Sequence, residues 1–437
     1  MLFIIKTLAG LEPVLAEELK EMGAGNIRIL KRAVSFEGES SMMYRANYEL
    51  RTALRVLQHI HAFKARDERD LYEGIRSIDW GQFMGPSETF AIDAVTQGEV
   101  FRHSKYAALV VKDAIADQFR EKHGRRPNVN IEAPNLRIHL HAGGSECEIS
   151  LDSSGDSLHK RNYRHDTVEA PLNEVLAAGM ILLSGWKAQM PFVDPMCGSG
   201  TLPIEAAMIA LHRPPQYLRE QFGFFKWRAF DRKIWQSVKA AADAKMLEKP
   251  AFPILAFDND PRAVNATAVN LLAAGLENVI HVAKMPFEKL EPAASEGLLM
   301  ANPPYDERLK IDHAIDFYKS IGDRLKQNWA GWNAWLISSN RDALKHLGLR
   351  PSRRITLFNG ALECSFQKFE LYEGAKISPQ SDSPRSDSPQ SDSPRSDSPR
   401  SDSPQSDSPR SDSPQSDSPQ SDSSRSDMAE SDVERKA

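Results

Sequence analysis

The sequence predicts an α/β protein, in which an open, mostly parallel sheet with helices on both faces follows a smaller α+β region of roughly 155 residues. Three observations predict it. From about Ala170 onward, strand-like and helix-like segments alternate, as repeated βαβ units require. Ahead of that point the segments read strand, helix, strand, and close on two strands with period-two alternation. From Ser378 the chain becomes a five-residue repeat with almost no apolar side chains; such a segment cannot offset its chain entropy and is expected to be a disordered tail.

The first region opens with a strand over 3–5. Val14, Leu15, Leu19 and Met22 recur at helical spacing and predict a helix over 12–22. Gly23 and Gly25 stand where a helix C-cap is expected, and a strand over 27–30 follows. The pattern then predicts a helix over 41–57, a strand over 89–95, and a long helix over Ser104–His123 stopped by Gly124. Strands over 135–142 and Glu146–Asp152 complete the region. In the second part, a short apolar strand ends at Asp194, a glycine loop follows, and a helix runs over 201–211. Further strands are expected over 252–257, 278–283, Gly297–Ala301 and 334–338, with Trp329 to Trp335 read as core.

Composition removes several classes. Residues 378–437 hold 13 acidic and 7 basic residues, so the net charge of −5 for the whole chain hides a body, residues 1–377, with 48 basic and 47 acidic residues. All 35 aromatic residues lie in that body, which is long enough for an ample core. No stretch approaches the roughly 18 apolar residues of a membrane helix, and the N-terminus lacks the basic n-region of a signal peptide. Cys147, Cys197 and Cys364 are odd in number and far apart, the usage expected of reduced thiols in a cytoplasmic protein. His59 and His61 have no carboxylate or Cys at ligand spacing, so no metal is expected.

Positive charge gathers in the first 165 residues. Arg102, Lys105, Lys112, Arg120, Lys122, Arg125 and Arg126 lie on or beside the long helix, and Lys160, Arg161 and Arg164 surround Tyr163. Cations next to an aromatic ring suit backbone phosphates and an unstacked base. A solvated helix face and a charged linker would carry the same residues.

In an open α/β sheet, ligands bind at the carboxyl ends of the strands, and three strand ends here carry chemistry. The first is Asp194-Pro-Met-Cys197-Gly198-Ser199-Gly200-Thr201. Two glycines between a strand and a helix let backbone approach a ligand, and the helix N-terminus favours an anion. No Lys-Ser/Thr follows, which disfavours a triphosphate loop, and the third glycine of a dinucleotide fingerprint is missing. The leading Asp194 suits an ammonium group, as in S-adenosylmethionine (SAM); a tight capped turn is the alternative. The second strand end is Asp258-Asn-Asp260-Pro261, where Asp258 can accept both ribose hydroxyls and Asp260 caps the next helix. The third is Asn302-Pro303-Pro304-Tyr305. Its prolines have no N–H, so the loop presents acceptors. The Asn302 amide oxygen and the Pro303 carbonyl can accept from one exocyclic NH₂, and Tyr305 offers a stacking face.

These motifs, in this order, resemble the SAM-dependent RNA guanine-N2 methyltransferases that carry a THUMP RNA-binding domain, and within them the N-terminal methyltransferase half of the bacterial 23S rRNA enzymes. The likeness runs over about 1–372 and includes Leu151 to Arg161, Ala170-Pro-Leu, the Asp194 to Thr201 loop, Ile204-Glu-Ala-Ala-Met208, the aromatic stretch from Phe222 to Trp235, and Asn302 to Tyr305 with Glu307-Arg308. The resemblance implies a ferredoxin-like piece over 1–42, a THUMP domain over 43–155, a basic linker over 156–169, and a Rossmann-like class I methyltransferase domain over 170–377. It implies large-subunit rRNA or its precursor particle as partner, and a single methylation because the repeat tail stands where a second methyltransferase half would be.

The chain departs from the family at three places. Asp306 and Asn162 replace usual glycines, and 283–289 lacks the acid that would meet the SAM adenine, leaving Glu288 or a backbone contact as a substitute. A tRNA guanine-N2 methyltransferase, an adenine-N6 methyltransferase and an RNA-binding assembly factor are the competing readings.

Overall fold

The computed structural model describes residues 1–167, 171–304 and 311–372. The repeat tail lies outside them.

The first region is built from β1 (Leu2–Lys6), α1 (Glu12–Glu21), β2 (Gly25–Leu30), β3 (Ala33–Glu37), α2 (Ser40–Glu49), β4 (Arg55–Lys64), α3 (Glu68–Arg76), β5 (Thr89–Gln97), α4 (Ser104–His123), β6 (Asn128–Val129), β7 (Leu136–Gly143) and β8 (Glu146–Asp152). Its strands form one eight-stranded sheet in the order β2-β3-β1-β4-β8-β7-β5-β6. Alternation decides the faces. Leu136, Ile138, Leu140 and Ala142 of β7 point into the core shared with α3 and α4, while Arg137, His139 and His141 take the other face.

The expected helix over 41–57 breaks at Leu50, whose ψ of 124° is extended, and β4 begins five residues later. The apolar residues of 50–57 fit either period locally. Pairing of β4 with β1 on one side and β8 on the other decides for a strand. Helix α3, capped by the Asp67 side chain accepting from the Asp70 N–H at 2.8 Å, and strand β3 were not expected from the pattern.

The second region contains α5 (Glu174–Ser184), β9 (Phe192–Asp194), α6 (Thr201–Ala210), α7 (Arg232–Asp243), β10 (Ile254–Asp258), α8 (Pro261–Ala274), β11 (Ile280–Lys284), β12 (Gly297–Ala301), α9 (Ile311–Asn328), β13 (Trp332–Ser338), α10 (Arg341–Lys345), β14 (Arg353–Asn359) and β15 (Leu362–Glu370). The strand order is β11-β10-β9-β12-β13-β15-β14. The first five are parallel, and the β14–β15 hairpin adds an antiparallel edge. Strand β9 lies between β10 and β12, so the chain reverses direction across the sheet there. That switch opens a crevice above the strand ends.

The two regions share a core. Phe222, Phe224, Trp235 and Val238 pack with Phe3, Tyr44, Tyr48 and Val56 of the first region, and the Tyr48 hydroxyl donates to Asp243 at 2.7 Å. Among the described residues, no helix is long and apolar enough to cross a membrane.

Candidate active site

The carboxyl ends of β9, β10 and β12 surround one cavity of roughly 700 Å³. Asp194, Cys197, Gly198, Ser199 and Thr201 line it from the first loop, Asp258 and Asp260 from the second, and Asn302, Pro303 and Pro304 from the third. The three motifs singled out in the sequence therefore meet. Gly200 does not face the cavity. It caps α6 with φ +84°, and a Cβ there would meet Thr267 Cγ2 at 2.8 Å. Gly198, at φ +56°, is also left-handed.

The loop is held from behind by α8 and β10. The Asp258 carboxylate accepts from the Gly198 N–H at 2.9 Å through one oxygen and from the Asp260 N–H at 2.9 Å through the other. The Thr267 hydroxyl donates to the Gly198 carbonyl at 2.8 Å, and the Asn270 amide donates to the Ser199 carbonyl at 2.9 Å. Burial pushes the Asp258 carboxyl above the usual range despite these bonds. Asp194 is 1% exposed, and its side chain accepts only from the Met196 N–H, at 3.1 Å, among the described residues. Burial, and then the charge of Asp258, raise its carboxyl well above the ordinary value. Cys197 shares this buried loop, which raises its thiol too; its backbone N–H donates to the Phe257 carbonyl at 2.9 Å.

One feature tests whether SAM fits: Asp194 is a buried acid with no cation beside it among the described residues, which an ammonium group would supply, and it fits. Asn302 Oδ1 is buried without a hydrogen-bond partner among the described residues, an acceptor open to the donor of a second ligand.

Tyr305 lies outside the described residues, as does Asp306. Glu288, one of the two substitutes the sequence offers for the missing adenine-contacting acid, lines the cavity beside Phe287 after β11. Pattern reading missed Leu172, Phe317, Asn359, Gly360 and Leu362, which also line it. The Asn359-Gly360 dipeptide is a hairpin signal that could have located the β14–β15 turn; nothing local would have placed that turn at the site.

The basic residues divide. Arg102, Lys105, Arg125, Arg126 and Lys160 are exposed. The first four have no ion pair among the described residues, whereas Lys112, Arg120 and Lys122 pair with Asp113, Asp117 and Asp79. They do not form one cluster: Arg102 and Lys105 lie at the start of α4 and Arg125 and Arg126 just past its end, about 30 Å apart along a helix of 20 residues. Arg161 is not at the surface. It is 1% exposed and 3.4 Å from the fully buried Glu205 of α6, so the expectation that it meets RNA gives way to an interior ion pair. Arg164 is turned inward as well, with 18% of its side chain exposed. Asn162 holds φ +67°, the left-handed conformation for which a glycine is usual.

Residues 2–57 match the RlmL ferredoxin-like domain, residues 65–152 the THUMP domain, and residues 161–368 the RMKL-like methyltransferase domain. A Synechocystis sp. protein, "Putative RNA methyltransferase slr0064", is 38% identical over 364 residues, covering 83% of this chain and 95% of its own length. Ribosomal RNA large subunit methyltransferase K/L of Methylococcus capsulatus is 39% identical over 381 residues, or 85% of this chain; the chain spans 51% of that protein. The crystal structure of SMU.472 complexed with SAH superposes with a TM-score of 0.78 at 28% identity, over 86% of this chain and 99% of the other. With the cavity and its three strand ends, these likenesses establish that the chain belongs to the RMKL-like RNA methyltransferases, which join ferredoxin-like and THUMP domains to a SAM-dependent methyltransferase domain.

Proposed function

We propose that the chain methylates the exocyclic N2 amine of a guanine in large-subunit rRNA, using SAM as donor. The observation that carries this reading is the buried Asn302 Oδ1 at the end of β12, without a hydrogen-bond partner among the described residues and followed by two prolines that present no N–H. The site offers acceptors where an amine must be held. The printed names of the K/L relatives support large-subunit rRNA as substrate, and the resemblance to guanine-N2 enzymes supports the base.

SAM supplies an electrophilic methyl group on its sulfonium. The chain's part is orientation. Asn302 Oδ1 and the Pro303 carbonyl accept the two amine hydrogens, which turns the nitrogen lone pair out of conjugation with the ring and toward the methyl carbon. The new N–C bond forms as the S–C bond breaks, and one amine proton leaves to solvent. No nucleophilic side chain takes part. Orientation is worth roughly 7–11 kcal/mol in such reactions, and placed acceptors add a few more. Extruding a paired base costs a few kcal/mol, which stacking on an aromatic face such as that of Tyr305 would partly offset.

The full chain should transfer methyl groups to large-subunit rRNA from a strain lacking the protein, and the digest should contain N2-methylguanosine. N6-methyladenosine would overturn the base, and transfer to tRNA alone would overturn the substrate. Asn302→Ala should lower turnover by at least about 100-fold, while calorimetry shows SAM binding within about twofold of the parent. Retained turnover would remove the proposed acceptor.

A further inference from the structure

The sequence places Arg161 and Arg164 among the residues expected to touch RNA, yet the structure turns both inward. The Arg161 guanidinium donates to the Arg51 carbonyl at 2.5 Å and the Leu158 carbonyl at 2.6 Å, and it pairs with Glu205 on α6. Arg164, three residues on, reaches the start of the same helix. Its Nη1 donates to Ser199 Oγ at 3.0 Å, its Nη2 to Thr201 Oγ1 and the Leu172 carbonyl at 3.0 Å each, and its Nε to Glu174 at 2.8 Å. Ser199, Thr201 and Leu172 all line the cavity. The next two residues are fixed by Asn270, whose Oδ1 accepts from the His165 and Asp166 N–H groups at 2.8 and 3.0 Å. The same Asn270 amide donates to the Asp166 and Ser199 carbonyls.

We propose that residues 161–166 form a strap that sets the shape of the SAM-binding loop, with Arg164 as its positioning residue. Ser199 and Thr201 flank Gly200, whose left-handed backbone is the bend between loop and helix. A planar guanidinium bridges both hydroxyls and the Leu172 carbonyl at once, which fixes the two sides of the bend relative to each other. An ammonium has a single donor centre and cannot span them. Glu174, 5% exposed, balances the charge. Arg161 anchors the strap to α6 one turn farther along, and its bond to Arg51 ties it to the first region. This reading is independent of which base is methylated.

The test uses Arg164→Lys in the full chain, which keeps the charge and removes the fork, with folding checked by circular dichroism. Calorimetry should show SAM affinity reduced at least about tenfold, the loss of one charge-assisted hydrogen bond. KM for SAM should rise in parallel, with rRNA affinity within about twofold. Combining Arg164→Lys with Ser199→Ala should cost less than the two single effects added, because both remove the same bond. Unchanged SAM affinity, a loss of RNA affinity in its place, or strict additivity of the pair would each overturn the proposal.

Discussion

At Asp194 a carboxylate is buried to 1% exposure with, among the described residues, a single backbone N–H, that of Met196, to offset its desolvation. Burial first, and then the negative Asp258, hold its carboxyl well above the usual value. A carboxyl raised in the folded state binds its proton more tightly there than in the unfolded chain. Its stabilising contribution is therefore full below the unfolded value, roughly 3.9, and is lost as pH rises through the folded one. At neutral pH the unliganded protein carries this cost, and a cationic ligand relieves it. Asp194→Asn should consequently raise the melting temperature of the unliganded protein at pH 7 while weakening SAM binding about tenfold or more. Scanning calorimetry with and without SAM checks both; a lower melting temperature with unchanged affinity would refute the role. The residue type was legible in the sequence, because an acid before Gly-x-Gly suits an ammonium. Its lack of a cation among the described residues was not, since that depends on what folds around it.

Elements decide which cations can meet a phosphate. Helix α4 was readable from its spacing to the residue, but its basic side chains are not equivalent. Three pair with acids of the same helix or of the turn after α3, and the four without ion-pair partners among the described residues are divided between its two ends. Each double substitution, Arg102→Ala with Lys105→Ala or Arg125→Ala with Arg126→Ala, should flatten the slope of log K against log salt for RNA by up to about 2. SAM affinity should stay the same. Filter binding at several salt concentrations measures this, and a slope unchanged in both variants would exclude α4 from the RNA face. The β14–β15 hairpin shows the opposite limit. Its Asn-Gly turn is locally encoded, yet its place beside the cavity follows from pairing between β13 and β15.

For the whole molecule, the composition split governs the charge. The body of residues 1–377 is near neutral and residues 378–437 carry the net negative charge. A chain ending at Ile377 should keep full methylation activity and bind nonspecific RNA somewhat more tightly at low salt, as like-charge repulsion is removed. Loss of activity in a methyl-transfer assay would refute a dispensable tail. The sequence by itself determined the α/β class and the three strand-end motifs, because periodicity, proline and glycine act through neighbouring residues. Tertiary structure decided that the stretch around Phe222 and Trp235 completes the core of the first region. It also turned Arg161 and Arg164 inward, Arg161 to Glu205 of α6 and Arg164 to Ser199 and Thr201 at the loop after β9. Both outcomes depend on residues far apart in the chain: burying a guanidinium is tolerable only where acceptors such as Glu205, Ser199 and Thr201 converge on it, and no local pattern records that convergence.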